Sequence, residues 1–133
     1  MELRIRHGLL TLAAVVALAA APTGAAAQAM GALPEGVTPD MVTKGKKLFG
    51  GAGLCLACHG VDGKGTIGPN LTDSEWLHID GSFEQILTLV RSGVDVSTSK
   101  SGAIMPPRGG SSLNDADLRA VAAYTWTLTQ PKP

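Results

Sequence analysis

The chain has 133 residues, with 11 lysines and arginines matched by 11 aspartates and glutamates, and 44% of its residues are hydrophobic. This balance gives no indication of nucleic acid as a partner, because domains that bind nucleic acid carry a basic surplus. The length is enough for one domain after a leader.

The first 29 residues have the pattern of a secretory signal peptide. Arginines begin it, an apolar run covers residues 9–21, and we expect cleavage after Ala27 or Ala29. A retained membrane anchor is the alternative, but the run falls short of the ~20 apolar residues that a spanning helix needs. No comparable run follows, so we expect a periplasmic protein whose mature chain has no membrane span.

The first helix of the mature chain follows a short, flexible lead-in over residues 30–37, and we expect the domain to cover 38–133. Thr38 and Pro39 give an N-cap followed by proline at the first helical position. Apolar residues then recur at helical spacing for about three turns. Gly45 inside this helix costs about 1 kcal/mol relative to alanine, so we expect another helix to cross closely there.

The sequence Cys55-Leu56-Ala57-Cys58-His59 follows a glycine-rich break. Residues three and four apart share a helix face, so Cys55, Cys58 and His59 point the same way. The two thiols can form thioethers with the vinyl groups of haem while His59 Nε2 reaches the iron. This spacing is the signature of covalent c-type haem attachment, and it predicts one haem c.

Two other kinds of site use similar residues. A redox disulfide of the C-x-x-C type normally opens a helix after a strand, and no strand pattern precedes Cys55. A structural zinc site needs four ligands, whereas the chain has two cysteines and only His78 as a second histidine outside the leader. Zinc would have too few ligands, so we adopt haem attachment.

A glycine-rich loop over 60–69, a second long helix and a long irregular segment over 94–112 come next. Ser82 with Gln85 matches a capping box at the start of the helix, and Gly93 ends it. The segment over 94–112 is longer than ordinary connections, which favours a functional role.

The last helix has the clearest start signal in the chain. Asn114 is the expected N-cap, and Leu113 and Leu118 stand at the two positions of a hydrophobic staple. The apolar side continues to Leu128. Because there are no repeats and no convincing strands, the predicted fold class is all-α, with three to five short helices.

Met105 is the candidate for the second axial ligand of the haem iron. It lies in the long segment over 94–112, and the two prolines that follow it restrict the backbone. Methionine is also a common core filler, and His78 is the alternative ligand, expected in solvent. With His59 and Met105 both bound, the iron has no open position, which predicts one-electron transfer.

The chain resembles the small single-haem c-type cytochromes of bacteria over nearly all of residues 38–129. The matching segments are the N-terminal helix at 44–49, the haem motif at 55–60, the proximal loop at 68–71, the methionine loop at 105–107 and the C-terminal helix at 118–124. Residues 70–77 also resemble the haem domains of the cbb3-type oxidase dihaem subunit.

The resemblance implies a cytochrome c fold, in which the N- and C-terminal helices cross and one haem is covalently bound. It implies that Pro69 offers its carbonyl oxygen to His59 Nδ1, which leaves Nε2 for the iron. It also implies that Trp76 and Arg91 approach a haem propionate. The residues implied at the helix crossing are Gly45, Phe49, Val121 and Tyr124.

The function implied is that of a periplasmic electron carrier and not of an enzyme. Its partners would be redox proteins, namely a terminal oxidase, a reductase or a dehydrogenase, and we expect a monomer. The alternatives are a dedicated cytochrome subunit of a periplasmic dehydrogenase complex and a haem enzyme or gas sensor. The basic side chains that are candidates for steering an acidic partner are Lys44, Lys46, Lys47, Lys64 and Arg108.

Overall fold

The computed structural model describes residues 32–130, so the predicted leader lies outside the described residues. This part of the chain contains four α-helices and two short 3-10 helices. The α-helices are α1 (Pro39–Gly50), α2 (Cys55–His59), α3 (Phe83–Ser92) and α4 (Asp115–Leu128), and the 3-10 helices are Val61–Gly63 and Pro107–Gly110. No helix within 32–130 is long and apolar enough to cross a membrane. The all-α prediction is confirmed.

The helices α1 and α4 cross at Gly45, as the sequence predicts. A Cβ at Gly45 would overlap the carbonyl oxygen of Ala120 and would lie 2.9 Å from Tyr124 Cβ. The ring of Phe49 meets that of Tyr124 edge-on, with centroids 5.4 Å apart and planes at 72°. The nearest backbone is that of Ala120, one residue before the Val121 implied by the resemblance.

Two of the three predicted helix caps form as expected. The side chains of Thr38 and Asn114 each accept a hydrogen bond from the backbone N–H three residues on, at 3.2 and 2.9 Å. Ser82 is the N-cap residue of α3, as predicted, but its side chain makes no capping hydrogen bond, so the predicted capping box is wrong. Asp80 Oδ1 takes the Ser82 N–H at 2.8 Å, and the Gln85 amide bonds to Asp80 instead, with Nε2 donating to Oδ2 at 2.8 Å.

The main core lies between α3 and α4. Both leucines of the predicted staple, Leu113 and Leu118, are buried there. Val37 belongs to the same cluster, so the end of the predicted lead-in packs on the domain. The buried side of α3 consists of Phe83, Ile86, Leu87 and Val90.

Candidate functional site

The single turn of α2 places three of the predicted site residues in one cleft, because Cys55, Cys58 and His59 all line it. The preceding backbone is unusual. Leu54 has a left-handed φ of 59°, and a Cβ on Gly53 would lie 2.7 Å from a carbonyl oxygen of α1. The glycine-rich segment therefore lets α2 begin close against the end of α1.

The Cys55 thiol is half-buried and donates a hydrogen bond to the Gly53 carbonyl oxygen at 3.3 Å. Burial raises the pKa of Cys55 to about 11, and the neighbouring Cys58 adds a smaller increase. Cys55 is therefore a protonated thiol near neutral pH. Reactive C-x-x-C sites instead depress the pKa of a thiol that solvent can reach, and Cys55 shows the opposite shift.

His59 is held in one orientation by the loop that follows α2. Its Nδ1 lies 2.9 Å from the Pro69 carbonyl oxygen. A carbonyl can only accept, so Nδ1 carries the proton and Nε2 keeps a free lone pair. The ring is buried and rests on Gly68, where a Cβ would lie 3.0 Å from its Cε1. The contact between Pro69 and His59 is the one the resemblance implies.

The loop also satisfies the carbonyl groups left open at the end of α2. Thr66 Oγ1 and the Gly68 N–H both donate to the Cys58 carbonyl oxygen, at 2.6 and 2.8 Å. The Gly65 N–H donates to the His59 carbonyl oxygen at 2.6 Å. Sequence reasoning missed Thr66, since glycines around it indicate a tight loop but do not indicate its partner.

Met105 lines the same cleft from the long segment after α3. Its backbone forms an isolated antiparallel bridge with Val94, with N–H to O=C distances of 2.9 and 2.8 Å. This is the only β-type pairing found within residues 32–130. Gly93 ends α3 with a φ of 70°, and a Cβ there would overlap the Met105 carbonyl oxygen. The bridge, this close approach and the two prolines together fix the backbone at Met105.

The cleft suits a large apolar cofactor. Its empty space is about 1120 Å³ with the solvent at its open mouth included. Most of its lining is apolar, and Leu54, Ile67 and Ile104 along it are more than half exposed.

The donor atoms in the cleft fit haem better than a bare metal ion. An imidazole and a thioether are known axial ligands of haem iron, and two thiols stand ready for thioether bonds. Within residues 32–130, no three His, Cys, Asp or Glu side chains are grouped to hold a metal ion. The residues therefore fit a covalently attached haem and do not fit a structural zinc site.

The structure brings all but one of the predicted site residues to this cleft. Trp76 lies over Gly81, where a Cβ would overlap the indole nitrogen. Arg91 is not part of the lining, because it lies exposed on α3 with Nη2 3.7 Å from Asp115 Oδ2. The predicted residues that line the cleft are Cys55, Cys58, His59, Pro69, Trp76 and Met105.

His78, the alternative ligand, also lies along the cleft but is exposed, as expected. Its Nε2 accepts a hydrogen bond from the Lys100 N–H at 3.2 Å. The Nε2 lone pair of His78 is therefore already engaged by backbone, whereas His59 Nε2 accepts no hydrogen bond within residues 32–130.

The five basic residues considered for partner steering divide into two groups. Lys44 Nζ lies 2.6 Å from Asp117 Oδ1, and Arg108 Nη2 lies 2.9 Å from Asp115 Oδ1. The charge of these two is largely compensated. The others are exposed and form no ion pair within residues 32–130, and they are Lys46, Lys47 and Lys64.

Comparison with known proteins agrees with the sequence resemblance. The chain is 39% identical over 92 residues to the cbb3-type cytochrome c oxidase subunit CcoP of Rhodobacter capsulatus, covering 65% of this chain and 29% of that protein. It is 35% identical over 92 residues to the CcoP subunit of Rubrivivax gelatinosus, covering 68% and 27%. The chain thus spans less than a third of the length of these relatives.

A shorter relative is covered over most of its length. The chain is 35% identical over 74 residues to cytochrome c-554(548) of Halomonas halodenitrificans, covering 54% of this chain and 81% of that protein. No solved structure matches the chain significantly. The family model described as cytochrome C oxidase, cbb3-type, subunit III matches residues 40–124. This match covers more than half of the chain and spans α2 with its cysteines and histidine, so the chain belongs to that family of c-type cytochrome domains.

Proposed function

We propose that this chain carries one haem c and moves single electrons between redox proteins in the periplasm. The main support is that Cys55, Cys58, His59 and Met105 line one largely apolar cleft. Cys55 and Cys58 would hold the haem through thioethers, and His59 and Met105 would be its axial ligands. When bound, the haem supplies one-electron exchange between ferric and ferrous iron.

The residues around the cleft support electron transfer rather than substrate turnover. The Pro69 carbonyl oxygen fixes the tautomer of His59 and increases the basicity of its Nε2. The bridge to Val94 holds the backbone of Met105 in place. With His59 and Met105 both bound to it, the haem iron would have no open position for a substrate, and the apolar walls would disfavour the extra charge of the ferric state and so raise the reduction potential.

The periplasmic location rests on the leader pattern of residues 1–29, and covalent attachment suits an exported protein because the cofactor cannot diffuse away. The partners would be a terminal oxidase, a reductase or a dehydrogenase. The exposed lysines Lys46, Lys47 and Lys64 would favour an acidic partner, since opposite charges accelerate encounter. If changing them to glutamine left the salt dependence of electron transfer unaltered, this steering would be refuted.

The proposal is tested on protein made in a host that matures c-type cytochromes. We expect the mass of the chain plus one haem, and a methionine-to-iron charge-transfer band in the oxidised spectrum. Met105→Ala should remove the band and let the reduced protein bind carbon monoxide. Met41→Leu, in α1 and outside the cleft lining, is the matched control and should leave both unchanged.

Two results would contradict the proposal. A colourless protein with the mass of the bare chain would exclude haem attachment. Ready binding of carbon monoxide to the unmodified reduced protein would mean an open axial position, as in a haem enzyme or gas sensor.

A second candidate is a dedicated cytochrome subunit of a larger redox complex, whether an oxidase or a periplasmic dehydrogenase. It is favoured by the relatives, since those of Rhodobacter capsulatus and Rubrivivax gelatinosus are oxidase subunits. The haem chemistry would be the same. Stoichiometric copurification with a catalytic chain from the native host would support the subunit, and elution of the holoprotein alone at low salt would support the free carrier.

A further inference from the structure

Arg108 has an unusual backbone in the segment that carries Met105. Its φ and ψ are 57° and 23°, in the left-handed region, and Gly109 continues there at 64° and 18°. A residue with a Cβ is strained in this conformation, whereas glycine adopts it freely. Glycines occupy the next two positions, so an arginine in the first left-handed position indicates that its side chain is needed.

The guanidinium of Arg108 joins this segment to the start of α4. Nη1 donates to the Leu113 carbonyl oxygen at 2.6 Å, and Nη2 donates to Asp115 Oδ1 at 2.9 Å. The Arg108 carbonyl oxygen in turn accepts from Ser111 Oγ at 2.6 Å. A planar guanidinium can serve two acceptors at once, and Asp115 is held at the first turn of α4, where a carboxylate complements the helix dipole.

These contacts place an anchor on each side of Met105. At Met105 itself, the bridge to Val94 ties the backbone to the chain that leaves α3. After it, two prolines restrict the chain as far as Arg108, which ties the segment to α4. The other hydrogen bonds of this turn, from Ser111 and from the Gly109 N–H, close only within the turn itself, so Arg108 supplies the polar link from the turn to α4.

We propose that Arg108 is a positioning residue for Met105. By fixing the segment to Leu113 and Asp115, its side chain keeps the thioether where it can serve as an axial ligand. The role rests on the proposed ligation of haem by His59 and Met105. It would control how readily the methionine is displaced without touching the haem site itself.

The test is the binding of imidazole to the oxidised holoprotein, where imidazole displaces the methionine and removes its charge-transfer band. Arg108→Gly removes the guanidinium and also relieves the left-handed strain, so the fold should be retained. We expect imidazole to bind about 10- to 30-fold more tightly, the lower part of what hydrogen bonds from a charged group give, because the guanidinium is partly exposed. Arg108→Lys keeps the charge without the planar guanidinium, so its imidazole affinity should lie between those of the unmodified protein and Arg108→Gly.

The matched control is Arg91→Gln. Arg91 approaches the same Asp115 from α3 at 3.7 Å and forms no hydrogen bond to the methionine segment within residues 32–130, so imidazole affinity should stay within about twofold, as expected of an exposed ion pair. Urea unfolding of each variant, followed at the haem Soret band, would show whether a gain in imidazole affinity merely follows a loss of global stability.

Three outcomes would overturn the proposal. The first is an unchanged imidazole affinity in Arg108→Gly, and the second is an equal gain in Arg91→Gln. The third is a fall in unfolding free energy large enough to account for the whole gain. If the unmodified protein lacks the methionine band, the ligation by Met105 fails and this role fails with it. A normal band with an unaffected Arg108→Gly variant refutes the role of Arg108 alone.

Discussion

Replacing Gly45 by alanine tests the helix crossing on which the domain is built. Alanine is the better helix former by about 1 kcal/mol, so in an isolated helix the change would be stabilising. In this structure the new Cβ would overlap the Ala120 carbonyl oxygen and lie 2.6 Å from the carbonyl carbon. We therefore expect Gly45→Ala to destabilise the protein despite its favourable propensity.

The magnitude follows from that distance. Carbon atoms in contact lie about 3.5–4.0 Å apart, so α1 and α4 would have to separate by roughly 1 Å. The separation would also loosen the edge-on contact of Phe49 with Tyr124. Because the overlap is with backbone and not with a movable side chain, the cost should lie in the upper part of the about 1–3 kcal/mol typical of overpacking, and about 1 kcal/mol of it is offset by propensity. For a domain of this size a net loss of 1 kcal/mol lowers Tm by roughly 4–8 °C.

The assay is urea or thermal unfolding of the holoprotein, followed at the haem Soret band and by far-ultraviolet circular dichroism. Gly50→Ala is the matched control, because Gly50 is the last residue of the same helix and a Cβ there would meet nothing within 4 Å. That variant should be as stable as the parent or slightly more stable. If Gly45→Ala were also as stable as the parent, the close crossing described above would be wrong.

Two further predictions concern a helix cap and a phenol. Asn114→Ala removes a side-chain hydrogen bond to the α4 backbone and should cost ~1 kcal/mol of unfolding free energy. Ser82→Ala loses no such bond and should cost less. Equal losses in the two variants would contradict the cap assignment. Burial, and after it the nearby charge of Asp62, raises the pKa of Tyr124. The stability that the neutral phenol contributes is therefore complete below its ordinary pKa of about 10. That contribution is lost as the pH rises through the higher pKa of the folded state. Tyr124→Phe should therefore lose less stability than the parent between about pH 9 and 11 in urea unfolding, and equal losses would contradict this assignment. Tyr124 is the one tyrosine of the chain, so its phenolate absorbance can be assigned directly.

The features that sequence predicts well are those whose partners lie within one helical turn. The caps at Thr38 and Asn114 and the shared face of Cys55 and His59 depend only on spacing, and the structure has all of them. Gly45 was informative for a different reason. A glycine inside a helix is costly, and the nearby backbone of α4 explains it.

The features that sequence did not predict depend on competition between partners that only the fold brings together. The predicted capping box at Ser82 does not form because the Ser82 N–H donates to the carboxylate of Asp80 and not to Gln85. Arg91 was expected at the cofactor, but Asp115 at the start of α4 lies close enough to hold its guanidinium. The bridge that fixes Met105 joins two loop positions with no strand pattern around either.

The pairing of α1 with α4 also sets an order of events for a newly made chain. Because α4, which packs over Gly45, comes last among the described helices, the native core cannot close until α4 has been synthesised. Until then Cys55 and Cys58 stay on a segment without tertiary support. The thiols are thus accessible to covalent chemistry before the domain folds and become partly enclosed only when α1 and α4 meet.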